Sequence, residues 1–459
     1  MAVINIRKSI IVFVASTVLL ANAFYADPLG MIENDFSVYW REVSEFFVIG
    51  RLVKSQQDGI LSGGGLLVIG DANDYDVTNK TIKHQYDAYS RGERFDTYWT
   101  YKSTPALEGV IYSIFDKFTS FKPGQNIKLF RASVSLFSAA VVALLLAWIE
   151  IELGFLAFLL TFLYAYASPW LILFGGHIYW QMWSFFLPFV TLLWLSEYSN
   201  RNRPASLKLY ALVAFVAVFL KTLVTGFEFI TSVLVSVTIP GVYYSIKNQC
   251  SLKDFLRMFL HVSFGGLLAT VSGLLVLFLQ ITNELGNFAS SYKSIDYALN
   301  RRAIGDPAKF SGVFADALKA NQWDVIRKYV LGPSLAFDGR FTGGIYSGGV
   351  RFSSIILLVL FFSLLLILLI VKSRASEDKR KSLAILITTW YSSLAALSWF
   401  VIFKAHASIH INLDYFVWQA PFLLLGFALI GWSIKQSIVV YNQSRARRSS
   451  LDQSALGDR

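Results

Sequence analysis

Two stretches of this chain collect side chains able to move a proton or hold an anion. In ENDFSVYW, Glu33 and Asp35 stand two residues apart. On a helix that offset turns the carboxylates to different faces, so one can enter a cleft while the other stays in water. A carboxylate suits removal of a proton from an attacking hydroxyl. The same residues would equally open a helix as an acidic first turn. In KAHASIHINLDYF, His406 and His410 are four apart and share a helical face, with Lys404 before them and Asp414 after. That spacing admits a metal, but no HExxH glutamate accompanies it. The lysine favours an anion, and a phosphate held by Lys404, His406 and His410 is the expectation. Asp414 either orients one histidine or caps the apolar segment that follows.

Further candidates share the surroundings of these two. GGHIYWQMW offers His177, Tyr179, Trp180 and Gln181, which suit stacking on and hydrogen bonding to a sugar ring, or an aromatic belt at a membrane surface. KTLVTGFEF sets Lys221 and Glu228 at the ends of successive apolar runs, as partners of each other or as ligand groups. Lys102 and Glu108 precede a shorter apolar run. Arg301, Arg302 and Arg340 lie in a later polar segment and are expected to bind phosphate or an anionic glycan, unless they are ordinary solvated charges.

These residues must be positioned by membrane-spanning helices. The 459 residues are 55% hydrophobic and only 15% charged, against a globular norm of about 25%. Apolar runs of membrane-spanning length recur, and the expected fold is an all-α polytopic membrane protein of about ten spans. Those spans fall near 9–26, 131–149, 153–175, 178–196, 208–226, 228–246, 257–283, 352–371, 383–403 and 415–434. The chain then divides into a first span (1–26), a long external loop with amphipathic helices (27–130), a membrane body (131–283), a second external loop (284–351), C-terminal spans (352–434) and a disordered basic tail (435–459). ANA at 21–23 resembles a signal-peptidase site, but a retained first helix is the expectation.

Sidedness follows from the basic residues of the short loops. Arg7, Lys8, Arg201, Arg203, Lys208, Lys247, Lys253, Lys372, Arg380, Arg447 and Arg448 share one side, whereas Lys221 and Lys404 are alone on the other. The basic side is read as cytoplasmic with both termini, and the candidate residues as external. The net charge of +11 is thereby assigned to loops at the lipid surface rather than to nucleic acid. Cys250 is the single cysteine, so no intramolecular disulfide exists. Within the loops, residues 36–50 and GVFADALKANQWDVIRKYVLGP show the helical period expected of helices in the interface, the second ending at Gly-Pro.

A first span followed by ENDFSVYWREVSEFF, a long external loop and a multi-span body resembles the GT-C superfamily of integral-membrane glycosyltransferases. In size and layout the chain is also similar to the serotype-converting O-antigen glucosyltransferases of bacteria. The resemblance implies a sugar donor on polyprenyl phosphate, a glycan or lipid-linked acceptor, and a site facing the periplasm or exterior of a bacterial inner membrane. It implies Asp35 or Glu33 as base, with Lys404, His406, His410, Lys221, Arg301, Arg302 and Arg340 for the donor phosphate. His177, Tyr179, Trp180, Gln181, Lys102, Glu108 and Glu228 would line the substrate. Some members use magnesium or manganese and others do not, so no cofactor is specified. The competing expectations are an O-antigen polymerase or ligase and a lipid or glycan transporter; against the transporter, the span interiors carry almost no charge.

Overall fold

The structure, a computed structural model, describes residues 2–60, 66–69, 79–94, 97–335, 349–372 and 375–457. It is about 82% helical, and eight of its helices are long and apolar enough to cross a membrane. The first is α1 (Ala2–Ala26). The expected external loop then folds as α2 (Asn34–Asp58), β1 (Leu66–Ile69), α3 (Asn79–Arg91), β2 (Tyr98–Tyr101) and α4 (Leu107–Phe118). β1 and β2 pair antiparallel, with Leu66 opposite Tyr101. A helix lying half-exposed in the interface was expected over α2. Instead every residue from Glu45 to Val53 is buried, because α3, α4 and β1 close over it.

The bundle follows with α5 (Pro123–Leu153), α6 (Phe155–Ala167), α7 (Pro169–Gly175), α8 (Met182–Arg201), α9 (Leu207–Thr225), α10 (Ile230–Ser236), α11 (Ile239–Lys247) and α12 (Leu252–Leu285). Two expected spans are corrected here. The run 153–175 is not one rod: α6 and α7 meet at 67°. Pro169 lacks an amide hydrogen and disfavours helical geometry at Ser168, whose hydroxyl caps α7 through the Leu171 amide. The run 178–196 becomes α8, which lies outside the eight because tryptophans, serines and a polar end interrupt its apolar character.

Over the outer end lie α13 (Phe288–Arg302), α14 (Gly312–Lys319) and α15 (Gln322–Leu331), then a small pairing of β3 (Pro333–Leu335) with β4 (Val350–Arg351). The single helix expected over 312–333 is two, because Asn321 receives the Trp323 and Asp324 amides and starts α15 afresh. The chain ends with α16 (Phe352–Lys372), α17 (Ser376–Ile402), α18 (Lys404–Ile409), α19 (Ile411–Asp414) and α20 (Leu424–Gly457). The basic tail expected to be disordered is a helical continuation of α20. Between α19 and α20 the backbone passes through a 3-10 turn and a π turn, with Ala420 outside helical geometry.

The bundle has a lipid-type exterior. Leu260, Phe264, Leu267, Val271 and Leu275 of α12 are exposed, as are Leu357, Phe361, Leu364 and Leu368 of α16. Such stripes have no stable place in water and match hydrocarbon. One end is basic and acidic together. Lys8 pairs with Glu150, Arg201 with Glu197, and Lys247 with Glu152 at 2.6 Å. Lys435 donates to the Leu153 carbonyl at 3.1 Å.

α9 and α12 approach without side chains between them at Gly265. A Cβ there would sit 2.2 Å from the Ala211 carbonyl oxygen. Gly265→Ala is expected to separate the helices and cost about 1–3 kcal/mol, read as a lowered Tm in detergent; an unchanged Tm would remove this close approach from the fold.

Candidate functional site

At the end of the bundle opposite the Lys8–Glu150 pair, three connections meet. The first is the α9–α10 turn, 226–229. Lys221, buried at the end of α9, donates to the Gly226 carbonyl at 2.8 Å and to the Glu228 carbonyl. Gly226 has φ +61°, and a Cβ on it would lie 2.7 Å from the Ser103 carbonyl oxygen, so the β2–α4 connection rests directly on the turn. Phe229, with φ +53°, takes a left-handed conformation uncommon for a bulky side chain. Strain of this kind is retained where surroundings over-determine the backbone, commonly at ligand sites. Here it aims the Glu228 carboxylate toward the second and third connections.

Those connections are the end of α13 and the α18–α19 segment. Arg302 Nη2 stands 3.6 Å from Glu228 Oε1, and His406 Nε2 stands 3.5 Å from Oε2. Both separations exceed a normal hydrogen bond. The other imidazole nitrogen, His406 Nδ1, is 3.3 Å from Asp414 Oδ2, which also accepts the Trp399 indole hydrogen at 2.8 Å. The His410 ring lies against the His406 ring, with centroids 4.2 Å apart. Arg302 donates to Ser103 Oγ at 3.2 Å. Tyr179 and Tyr101, with centroids 6.4 Å apart, stand beside Arg302 and Glu228. Below lies an aromatic floor in which Phe174 stacks on Phe416 at 4.3 Å and Phe229 meets Trp399 edge-on at 5.1 Å.

Burial pushes the Glu228 carboxyl up, but His406, Arg302, His410 and Lys221 outweigh it and hold the group below its ordinary range. Burial, reinforced by His406, lowers His410 to about 3, so that ring is neutral near pH 7. Burial raises the Asp414 carboxyl against the pull of His406. The site thus joins an ionised carboxylate, a guanidinium and the imidazoles of His406 and His410. Such a group can accept a ligand hydroxyl at Glu228 and receive an anion at Arg302.

A second buried carboxylate, Glu45 of α2, was not singled out from the sequence. Its side chain is fully buried and accepts from both Arg131 Nε, at 2.9 Å, and Arg131 Nη2. It also accepts from the Ile178 amide at 3.1 Å and the Tyr86 hydroxyl at 3.2 Å. Burial pushes this carboxyl up, but Arg131, His177 and the hydrogen bonds prevail and hold it low. Glu45 therefore pins α2 and the 176–181 segment to α5, through donors from three separate segments. Its signal in the sequence is an acidic residue directly before FFVIG, on a face that is otherwise apolar.

The remaining candidates are placed as follows. His177, fully buried and lowered to about 4 by burial, faces Glu45 at 3.8 Å and receives the Tyr179 amide at 3.2 Å. Trp180 packs over Phe229, and Gln181 donates to the Tyr112 hydroxyl and holds the left-handed turn into α8. Lys404 donates to the Leu318 carbonyl at 3.0 Å, so it joins α18 to α14. Lys221 meets the Glu228 backbone rather than its carboxylate. The Arg301 guanidinium lies over Phe314 at 4.5 Å. Lys102 pairs with Glu284 at 3.4 Å. Glu108 is buried, with neither carboxyl oxygen hydrogen-bonded among the described residues; burial raises its pKa well above the ordinary value. Glu33 is the partly buried N-cap residue of α2 and makes no side-chain cap bond. Asp35 lies on the first turn of α2, its side chain outside the described residues, as is Arg340 altogether. The structure therefore brings together Glu228, Arg302, His406, His410, Tyr179 and Asp414. Among the described residues no group of three or more histidine, cysteine, aspartate or glutamate side chains is arranged to hold a metal ion.

Hydrogen-bond saturation separates the two carboxylates experimentally. Glu45→Gln leaves Arg131 without its buried counter-charge and is expected to cost about 3–5 kcal/mol. Thermal unfolding of both variants in detergent checks the ranking, with Glu228→Gln, a buried site whose ion-pair separations are longer, losing less than Glu45→Gln; equal losses would end the distinction. Compared with known protein families, curated proteins and solved structures, the chain matches none.

Proposed function

We propose that this chain is an integral-membrane glycosyltransferase that moves a sugar from polyprenyl phosphate to a glycan or lipid-linked acceptor at the external face of a bacterial inner membrane. The observation that carries the reading is the convergence on Glu228 of Arg302 and the His406–His410 pair, from separate connections, beside Tyr179 and Tyr101. A guanidinium suits a phosphate, and loosely held carboxylates with aromatic rings suit sugar hydroxyls and faces. The layout adds support. The apolar α1 is followed within ten residues by the acidic Glu33–Asp35 turn that opens α2, as in the GT-C enzymes the sequence resembles.

In this reading the donor phosphate is held by Arg302 and the neutral His410, with Arg301 beside them. Asp35 takes the proton of the acceptor hydroxyl as that oxygen attacks the anomeric carbon. The bond to the lipid phosphate breaks with its electron pair going to the phosphate. Positive charge in place before reaction stabilises that departure. Lys221 serves by holding the Glu228 turn, and Lys404 by holding α18.

The test is transfer of labelled sugar in nanodiscs, from a panel of polyprenyl-phosphate sugars to extracted envelope glycan. Asp35→Asn should lower the rate at least about 10²-fold with Tm unchanged. Full activity in that variant moves the base to Glu33. Polymerisation of lipid-diphosphate repeat units would instead favour the polymerase or ligase, and movement of unaltered lipid across the bilayer the transporter.

A further inference from the structure

His406 stands between two carboxylates. Each of its nitrogens faces a different carboxylate, Nε2 toward Glu228 at 3.5 Å and Nδ1 toward Asp414 at 3.3 Å. Asp414 is fully buried and fixed by the Trp399 indole, while its other oxygen, Oδ1, has no hydrogen-bond partner among the described residues. The ring itself is only 4% exposed and packs on Trp399 with centroids 5.4 Å apart. Tyr329 pins the segment through the Ala407 carbonyl at 2.7 Å. The imidazole cannot turn to water, and its working atom is the one that faces Glu228.

Carboxylate oxygens accept only, so the geometry constrains the protons. Glu228 is ionised, and a hydrogen on Nε2 faces it across 3.5 Å. A second hydrogen lies between Nδ1 and Asp414, whose carboxyl burial pushes up. Its position on either atom leaves the same two protons shared by the ring and Asp414. The other charged or titratable groups facing this array include Arg302 from α13, Lys221 beneath the turn, Tyr179 beside Glu228, Tyr329 of α15 beside Asp414, and His410 on its own segment.

We propose that Asp414 and His406 form a two-proton relay that protonates the departing lipid phosphate, with Glu228 orienting the ring. This rests on the glycosyl-transfer reading above. In the step, the acceptor oxygen bonds to the anomeric carbon and the carbon–oxygen bond to phosphate breaks. The phosphate oxygen takes the electron pair and then the Nε2 hydrogen. The second hydrogen settles on Nδ1, leaving Asp414 as carboxylate. Water returns a proton to the array, and the acceptor's own proton leaves through Asp35. An acid on the leaving group and a base on the attacking oxygen are the division of labour of inverting glycoside chemistry. Asp414 acts through His406 and is a positioning residue.

The test is the pH profile of transfer in nanodiscs. An acid must hold its proton, so the wild-type rate falls on the alkaline side. Asp414→Asn keeps an acceptor for Trp399 but removes a proton site, and should move that fall to lower pH by about one unit, with the donor KM within about twofold of wild type. His406→Gln should lower kcat about 10²-fold and abolish the alkaline fall. An unshifted profile in Asp414→Asn overturns the relay. An independent readout is the ¹⁵N titration of the His406 ring in histidine-labelled protein. Its midpoint should drop in Asp414→Asn, and an unchanged midpoint likewise overturns the relay. Absence of transfer from every donor, with the ¹⁵N shift present, refutes the glycosyl-transfer reading and leaves the coupled array standing.

Discussion

A charge taken out of water among packed helices must be met by another charge or by hydrogen bonds, and the outer half of this protein is arranged around that constraint. Glu45 satisfies it completely, through Arg131, the Ile178 amide and Tyr86. Those bonds join α2, α5, α3 and the 176–181 segment at one point. Because that segment is held, Tyr179 and Trp180 come to stand beside the α9–α10 turn. Glu228 meets the same constraint at longer range, with Arg302 at 3.6 Å and His406 at 3.5 Å.

Irregular backbone gathers around the same place. α7 bends away from α6, Gln181 and Phe229 adopt left-handed conformations, and the chain between α17 and α20 is broken into short turns. Non-helical backbone at membrane depth is tolerated only where protein or a polar cavity covers it. α13, α14 and α15 provide that cover. Gln322 donates to the Phe400 carbonyl at 2.7 Å, and Tyr415 to the Lys328 carbonyl at 3.3 Å. The segment from α13 to α15 therefore folds over the bundle and holds the histidine segment in place.

Much of this was readable before any coordinates. The membrane character, the helical content and the gathering of basic residues at one end follow from hydropathy and charge pattern, whereas their acidic partners Glu150, Glu152 and Glu197 came only with the structure. Among the unusual polar residues singled out near apolar runs, Glu228, Arg302, His406 and His410 come together in the fold. Their partners were less legible. Lys221 and Glu228 are close in sequence, which suggested an ion pair, but the helix end directs the ammonium to carbonyls. Lys404, read with the histidines, turns away to Leu318. Glu45 was hidden by an apolar neighbourhood that itself demanded the arginine 86 residues away. The span expected at 153–175 is bent by 67°, because hydropathy averages over a window and does not register what one Ser-Pro step does to a helix axis.

By itself, the sequence determined that the chain belongs in a bilayer, which residue types it can bring to a boundary, and where helices start, since apolar length and local caps are properties of neighbouring residues. Only the tertiary structure decided which carboxylate is saturated and which remains open. That distinction depends on donors arriving from distant segments: Arg131 and Ile178 at Glu45, Arg302 and His406 at Glu228. Sequence spacing carries no record of distances across a bundle, and hydrogen-bond saturation is a matter of tenths of an ångström between atoms brought together by packing.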